Sequence, residues 1–124
     1  MITGMHALIY TRNADAVRAF FRDVVGSPHV DAGRGWLIFA LPPAELGIHP
    51  AEDEESHELY LMCDDIDRTL ADLKTKGVDA AGPIADQGWG RVTSIRIADG
   101  VTLGLYQPRH PTALHLSGQV STKP

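Results

Sequence analysis

The chain has 124 residues, enough for one domain with a real core, and its 44% hydrophobic and 22% charged residues describe a globular protein. A formal net charge of -5 with no lysine- or arginine-rich stripe excludes a nucleic-acid footprint. No apolar run approaches the ~20 residues that a membrane span needs. The first residues, Met1 to His6, lack the basic flank and apolar stretch of a signal peptide, and a single cysteine, Cys63, excludes an intramolecular disulfide. Both readings point to a cytoplasmic protein.

In chain order, His6-Ala7-Leu8-Ile9-Tyr10 opens with a short strand whose alternate residues face opposite sides. Asn13 is an N-cap residue for a helix predicted over 13–25. On it Val17, Phe20, Phe21 and Val24 form one apolar stripe, read as core, and Gly26 stands where a helix stops. Three extended segments follow, at about 28–32, 36–41 and 45–49. His29 starts an exposed edge strand, Gly33-Arg34-Gly35 reads as a turn, and Pro42-Pro43-Ala44 interrupts the sheet because proline donates no ladder bond. Residues 51–56 are an acidic, solvated linker.

At His57 the order begins again. His57-Glu58-Leu59-Tyr60-Leu61 repeats the opening segment at an offset of 51 positions, and the same offset pairs Asn13 with Asp64 and Gly26 with Gly77. A second helix, predicted over 65–76, carries Ile66, Leu70 and Leu73 on one face. Extended segments at about 83–86, 91–98 and 101–107 complete the copy, with Asp99-Gly100 as a turn pair that tolerates positive φ. Leu46-Gly47-Ile48 is answered by Leu103-Gly104-Leu105, with Pro50 and Pro108 beyond. The reading is an α+β fold made of βαβββ twice. It forms a single domain over 1–108, with modules at about 5–50 and 57–108 and a polar tail over 109–124.

Paired modules with His6 and His57 at their first strands, Asp64-Asp65-Ile66-Asp67 leading into a helix and Gly77, and Asp99-Gly100 followed by Leu105-Tyr106-Gln107-Pro108 resemble one family. It is the glyoxalase, bleomycin-resistance and extradiol-dioxygenase superfamily, the vicinal oxygen chelate proteins. The resemblance covers almost the whole chain. It implies an eight-stranded cup, often closed by dimerisation, that surrounds a ligand. In metal-using members, the first and last strands of each module supply the ligands of one divalent ion. The resemblance puts first-strand ligands at His6 and His57, and last-strand ligands at Gly47 and Gly104. Glycine has no side chain to offer, so the family's two-His-one-Glu set is not formed.

Three readings of the cup stay open. In the first, the two glycines leave room for a flat or bulky guest. Tyr10, Trp36, Trp89 and Tyr106 then supply aromatic surface, while His6, His49 and His57 act as hydrogen-bonding partners or as a base. Bleomycin-resistance-type members of the family sequester a molecule in this way, without chemistry. In the second, His49 shares a face with Gly47, ~7 Å along the strand. His6, His57 and His49 then hold one Fe, Zn, Ni or Mn ion, and a lyase, isomerase or dioxygenase uses His6 and His57 as catalytic residues. In the third, both first-strand histidines are structural. The expectation taken forward is a homodimer that binds a small molecule and neither nucleic acid nor membrane, with the metalloenzyme as the alternative. Cys63, beside Asp64 and Asp65, reads as a buried structural thiol. His110 and His115, in the tail, are expected to reach at most a neighbouring subunit.

Overall fold

A computed structural model describes residues 6–48, 50–51, 53–54 and 56–115. Helix α1 (Ala14–Ala19) runs directly into a π-helical segment (Phe20–Val25). Strands β1 (His29–Asp31), β2 (Leu37–Phe39) and β3 (Tyr60–Met62) follow. After them come helix α2 (Ile66–Thr75) and strands β4 (Ala85–Gln87), β5 (Gly90–Ala98) and β6 (Val101–Pro108). Strands β1 and β2 pair with each other, and the other four form a mixed sheet in the order β3-β6-β5-β4. Within it β3 runs parallel to β6, while β5 is antiparallel to both its neighbours. This is the complete βαβββ unit expected of the second module.

The first module keeps the helix and the hairpin of that unit but not its outer strands. Residues 6–10 and 45–48 form no ladder among the described residues, and His49 lies outside them. Six of the eight expected strands are therefore present in the described residues. Pro42 and Pro43 withhold two backbone donors just before the last of these segments. Residues 6–10 are exposed throughout, so no burial offsets the entropy of ordering them as a strand. In the second module β3 begins at Tyr60, which leaves His57 outside the strand it was expected to open.

Two caps differ from expectation. Asp65, rather than Asp64, caps α2: its Oδ1 accepts from the Arg68 N–H at 3.1 Å. Asn13 precedes α1, yet its side chain accepts no helical N–H. Its amide instead donates to the Asp99 carbonyl at 2.9 Å, tying the first helix to the β5–β6 turn. The glycine signals hold, since Gly26 ends the π segment at φ 74° and Gly100 sits in its turn at φ 72°.

Both helices cover one face of the four-stranded sheet. Alternation puts Thr93, Ile95 and Ile97 of β5 and Leu103 and Leu105 of β6 on that face, and all five are buried. They pack with Val17, Phe20, Phe21, Ile66 and Val78. The wider π turn brings the adjacent Phe20 and Phe21 into the same core, their rings perpendicular with centroids 5.1 Å apart. Each such apolar side chain contributes ~1.5–3 kcal/mol on burial. Because both helices spend their apolar stripes on one face, the other is left without a helix. Tyr60, Met62, Val92, Ser94, Gly104 and Tyr106 stand on it.

Candidate functional site

Register decides what gathers on this uncovered face. In the β3–β6 ladder Tyr60 lies opposite Gly104 and Met62 opposite Tyr106, and across β5 Tyr106 lies opposite Val92. Opposite residues share a face and touch. A Cβ on Gly104 would overlap the Tyr60 ring, coming within 2.6 Å of its Cε1. The bare backbone at Gly104 therefore receives the protein's own Tyr60 ring. This corrects the expectation that the glycine leaves open space for a guest.

From that position Tyr60 meets Tyr106 nearly perpendicularly, with centroids 5.5 Å apart and planes at 86°. Trp89, in the turn between β4 and β5, meets Tyr106 in the same manner at 5.5 Å and 77°. Edge-to-face pairs satisfy the ring quadrupoles and hold the three side chains in mutual register. Tyr60 is 39% and Trp89 44% exposed, so the cluster still presents ring surface to solvent. A cleft of about 280 Å³ adjoins it, lined among others by Tyr60, Ala81, Pro83, Val92 and Ser94. A second, of about 430 Å³, opens between Met62 and Cys63 at the strand ends and Thr112 and Leu114 of the tail.

The cluster has a polar side, supplied from the first module and the tail. The Tyr106 hydroxyl donates to Glu45 Oε2 at 3.4 Å, and the Ala113 N–H donates to Glu45 Oε1 at 2.8 Å. His110 Nε2 lies 3.4 Å from the same hydroxyl and 3.8 Å from Glu45 Oε2. Burial first, and then the Glu45 carboxylate, pushes the Tyr106 phenol above its ordinary range, so it stays protonated and serves as a donor at neutral pH. Tyr60 is pushed up likewise, by burial and then by Glu58.

Of the residues expected to line the site, Trp89, Gly104 and Tyr106 come together here. The others do not join them. Tyr10 is 89% exposed; Trp36 is 67% exposed, with the Arg18 guanidinium 5.8 Å from its ring; Gly47 is exposed. His6 and His57 are exposed on segments outside the strands, and His49 lies outside the described residues. Among the described residues no three His, Cys, Asp or Glu side chains converge as a metal-binding group. With Gly47 and Gly104 offering no side-chain donor, the described residues do not fit the family's metal.

Tyr60, Glu45 and His110 were not among the residues expected to line the site. Tyr60 had one usable signal, its same-face spacing from Met62. Glu45 and His110 had none, because their approach to Tyr106 depends on how a coil segment and the tail fold over the sheet. His110, expected to reach a neighbour, contacts its own chain. Cys63 is half-buried, with its Sγ 3.6 Å from the Tyr106 carbonyl. Burial, with the Asp64 charge behind it, raises its thiol against the opposing pull of a hydrogen bond with Thr69, in keeping with an unreactive structural cysteine.

Residues 5–105 match a family model, the Glyoxalase/Bleomycin resistance protein/Dioxygenase superfamily. Among solved structures, TnmS3, an antibiotic binding protein from Streptomyces sp. CB03234, is 27% identical, with a TM-score of 0.59 over 87% of this chain and 98% of its own. A member of the Glyoxalase/bleomycin resistance protein/dioxygenase superfamily from Sphaerobacter thermophilus is 21% identical, with a TM-score of 0.58 over 85% and 97% of the two chains. A lactoylglutathione lyase from Agrobacterium tumefaciens is 18% identical, with a TM-score of 0.58 over 84% and 92%. These last two share the fold. Among curated proteins none matches the chain.

Proposed function

Since the chain belongs to the glyoxalase/bleomycin resistance protein/dioxygenase superfamily, we propose that it binds a small molecule against the aromatic face of its second module. One observation carries this reading. The rings of Tyr60, Tyr106 and Trp89 form a preordered, partly exposed surface on the sheet face that neither helix covers. Aromatic surface that is locked by its neighbours and still open to solvent binds flat apolar guests at low entropic cost. The adjoining cleft supplies concavity, and the Tyr106 hydroxyl with Glu45 supplies orientation. The likeness to an antibiotic binding protein supports the same reading. In this proposal the guest is held and not transformed.

Fluorescence tests it. Trp36 and Trp89 are the two tryptophans, so a Trp36→Phe background makes Trp89 the sole indole reporter. Titration with a panel of planar, water-soluble aromatic compounds is expected to quench Trp89 saturably. Tyr106→Ala in that background should weaken the same binding by about tenfold, ~1.4 kcal/mol. No saturable quenching across the panel, or an affinity indifferent to Tyr106→Ala, rejects the site.

The proposal extends to a homodimer in the cytoplasm, in which a second copy covers the apolar residues that the first module leaves exposed. Among the described residues no helix is long and apolar enough to cross a membrane.

A further inference from the structure

Resting on the binding site above, we infer that its guest carries a positive charge, as an alkyl- or arylammonium ion. Glu45 accepts from the Tyr106 hydroxyl at the edge of the aromatic cluster. Its side chain is only 16% exposed, and among the described residues its one ion-pair partner is His110, at 3.8 Å, which is charged only when protonated. A carboxylate drawn out of water is penalised unless a cation compensates it. Among the described residues the donors that reach it, the Ala113 N–H at 2.8 Å and the Tyr106 hydroxyl at 3.4 Å, are neutral, and the second is long. Two carboxylate oxygens offer about four lone-pair sites, so acceptor capacity remains.

The second observation is independent of the first. Tyr60 and Trp89 stand at 86° and 77° to Tyr106, so the cluster turns π faces in more than one direction. Each such face carries partial negative charge and attracts a cation within about 6 Å of its centroid. Tyr106 joins the two features, its ring among the aromatics and its hydroxyl on Glu45. A carboxylate and several π faces brought together by one side chain fit a guest with both an apolar body and a positive charge. An anionic guest would meet repulsion from Glu45 at close range, in a chain whose net charge is already -5.

Benzyltrimethylammonium and its uncharged isostere neopentylbenzene separate the charge from the shape. Both are titrated against the same protein in one buffer. The wild-type protein is expected to bind the cation about tenfold more tightly than the isostere. Glu45→Gln keeps an oxygen for the Ala113 N–H and should bring the two affinities within about twofold by weakening the cation alone. Glu45→Asp should restore part of the preference. Equal affinities in the wild type, or a preference that survives Glu45→Gln, overturn the inference. If the isostere binds at Trp89 without any cation preference, the ammonium inference falls and the aromatic site stands. If neither probe binds, both fall.

Discussion

Gly104 and Tyr60 show how one residue's meaning changes with its neighbour. At the sequence level Gly104 marks a missing ligand. In the β3–β6 ladder it is the place where a tyrosine ring lies against bare backbone. Gly104→Ala is therefore expected to destabilise the protein by ~1–3 kcal/mol in urea unfolding, because the ring must move out of a packed cluster. In a Tyr60→Ala background the same substitution should cost little, since residues in contact couple strongly. An equal cost in both backgrounds would show that the ring is not the obstacle. The glycine itself was legible in the sequence. Its partner was not, because parallel pairing joins residues 44 positions apart, with a helix and two strands between them. Glu45 makes the same point more strongly. It is a lone acid after a proline break, and only the folded chain sets it on the Tyr106 hydroxyl.

The helices were the most legible elements. Val17, Phe20 and Phe21 of the first predicted stripe are buried, as is Ile66 of the second, while Val24, Leu70 and Leu73 pack against that core. A 3.6-residue period survives in sequence because one helix face must meet a sheet. Cap placement is a finer matter. Asp65→Ala is expected to cost about 1 kcal/mol, since it leaves the Arg68 N–H without its carboxylate. Asn13→Ala should cost about half of that or less, because it removes only an exposed bond to the Asp99 carbonyl. Chemical denaturation of the two variants checks the order, and a larger loss at Asn13 would mean that it caps α1 in solution. Strands were harder to place than helices. The predicted segments at 6–10 and 45–49 have the right residues, but a strand exists only where another offers hydrogen bonds, and that partner is not written locally.

At the scale of the whole molecule the two modules are unequal. The second is a complete βαβββ unit whose core is filled with help from the first module's helix. The first leaves Tyr10, Trp36 and Ile48 largely exposed, Ile48 by 85%, along with Leu8, Val30 and Leu46. These are the apolar residues that the proposed second copy would cover. With that copy bound, sedimentation velocity at micromolar concentration is expected to give twice the chain mass, and Tyr10→Asp with Ile48→Asp to give the monomer. A wild-type monomer would reject the homodimer while leaving the aromatic site in place.

The sequence by itself determined the βαβββ order of the second module, the helix faces, the glycine stops and the absence of last-strand ligand side chains. Each of these is local, written in residues a few positions apart or in one repeated spacing. Only the tertiary structure decided which side chains gather on the open sheet face. The His6 and His57 positions that carried the family resemblance lie exposed outside the strands, while Tyr60, Tyr106, Trp89 and Glu45 meet on the open sheet face. That meeting depends on strand register, where a slip of one residue turns every side chain to the opposite face, and on which face the two helices leave bare.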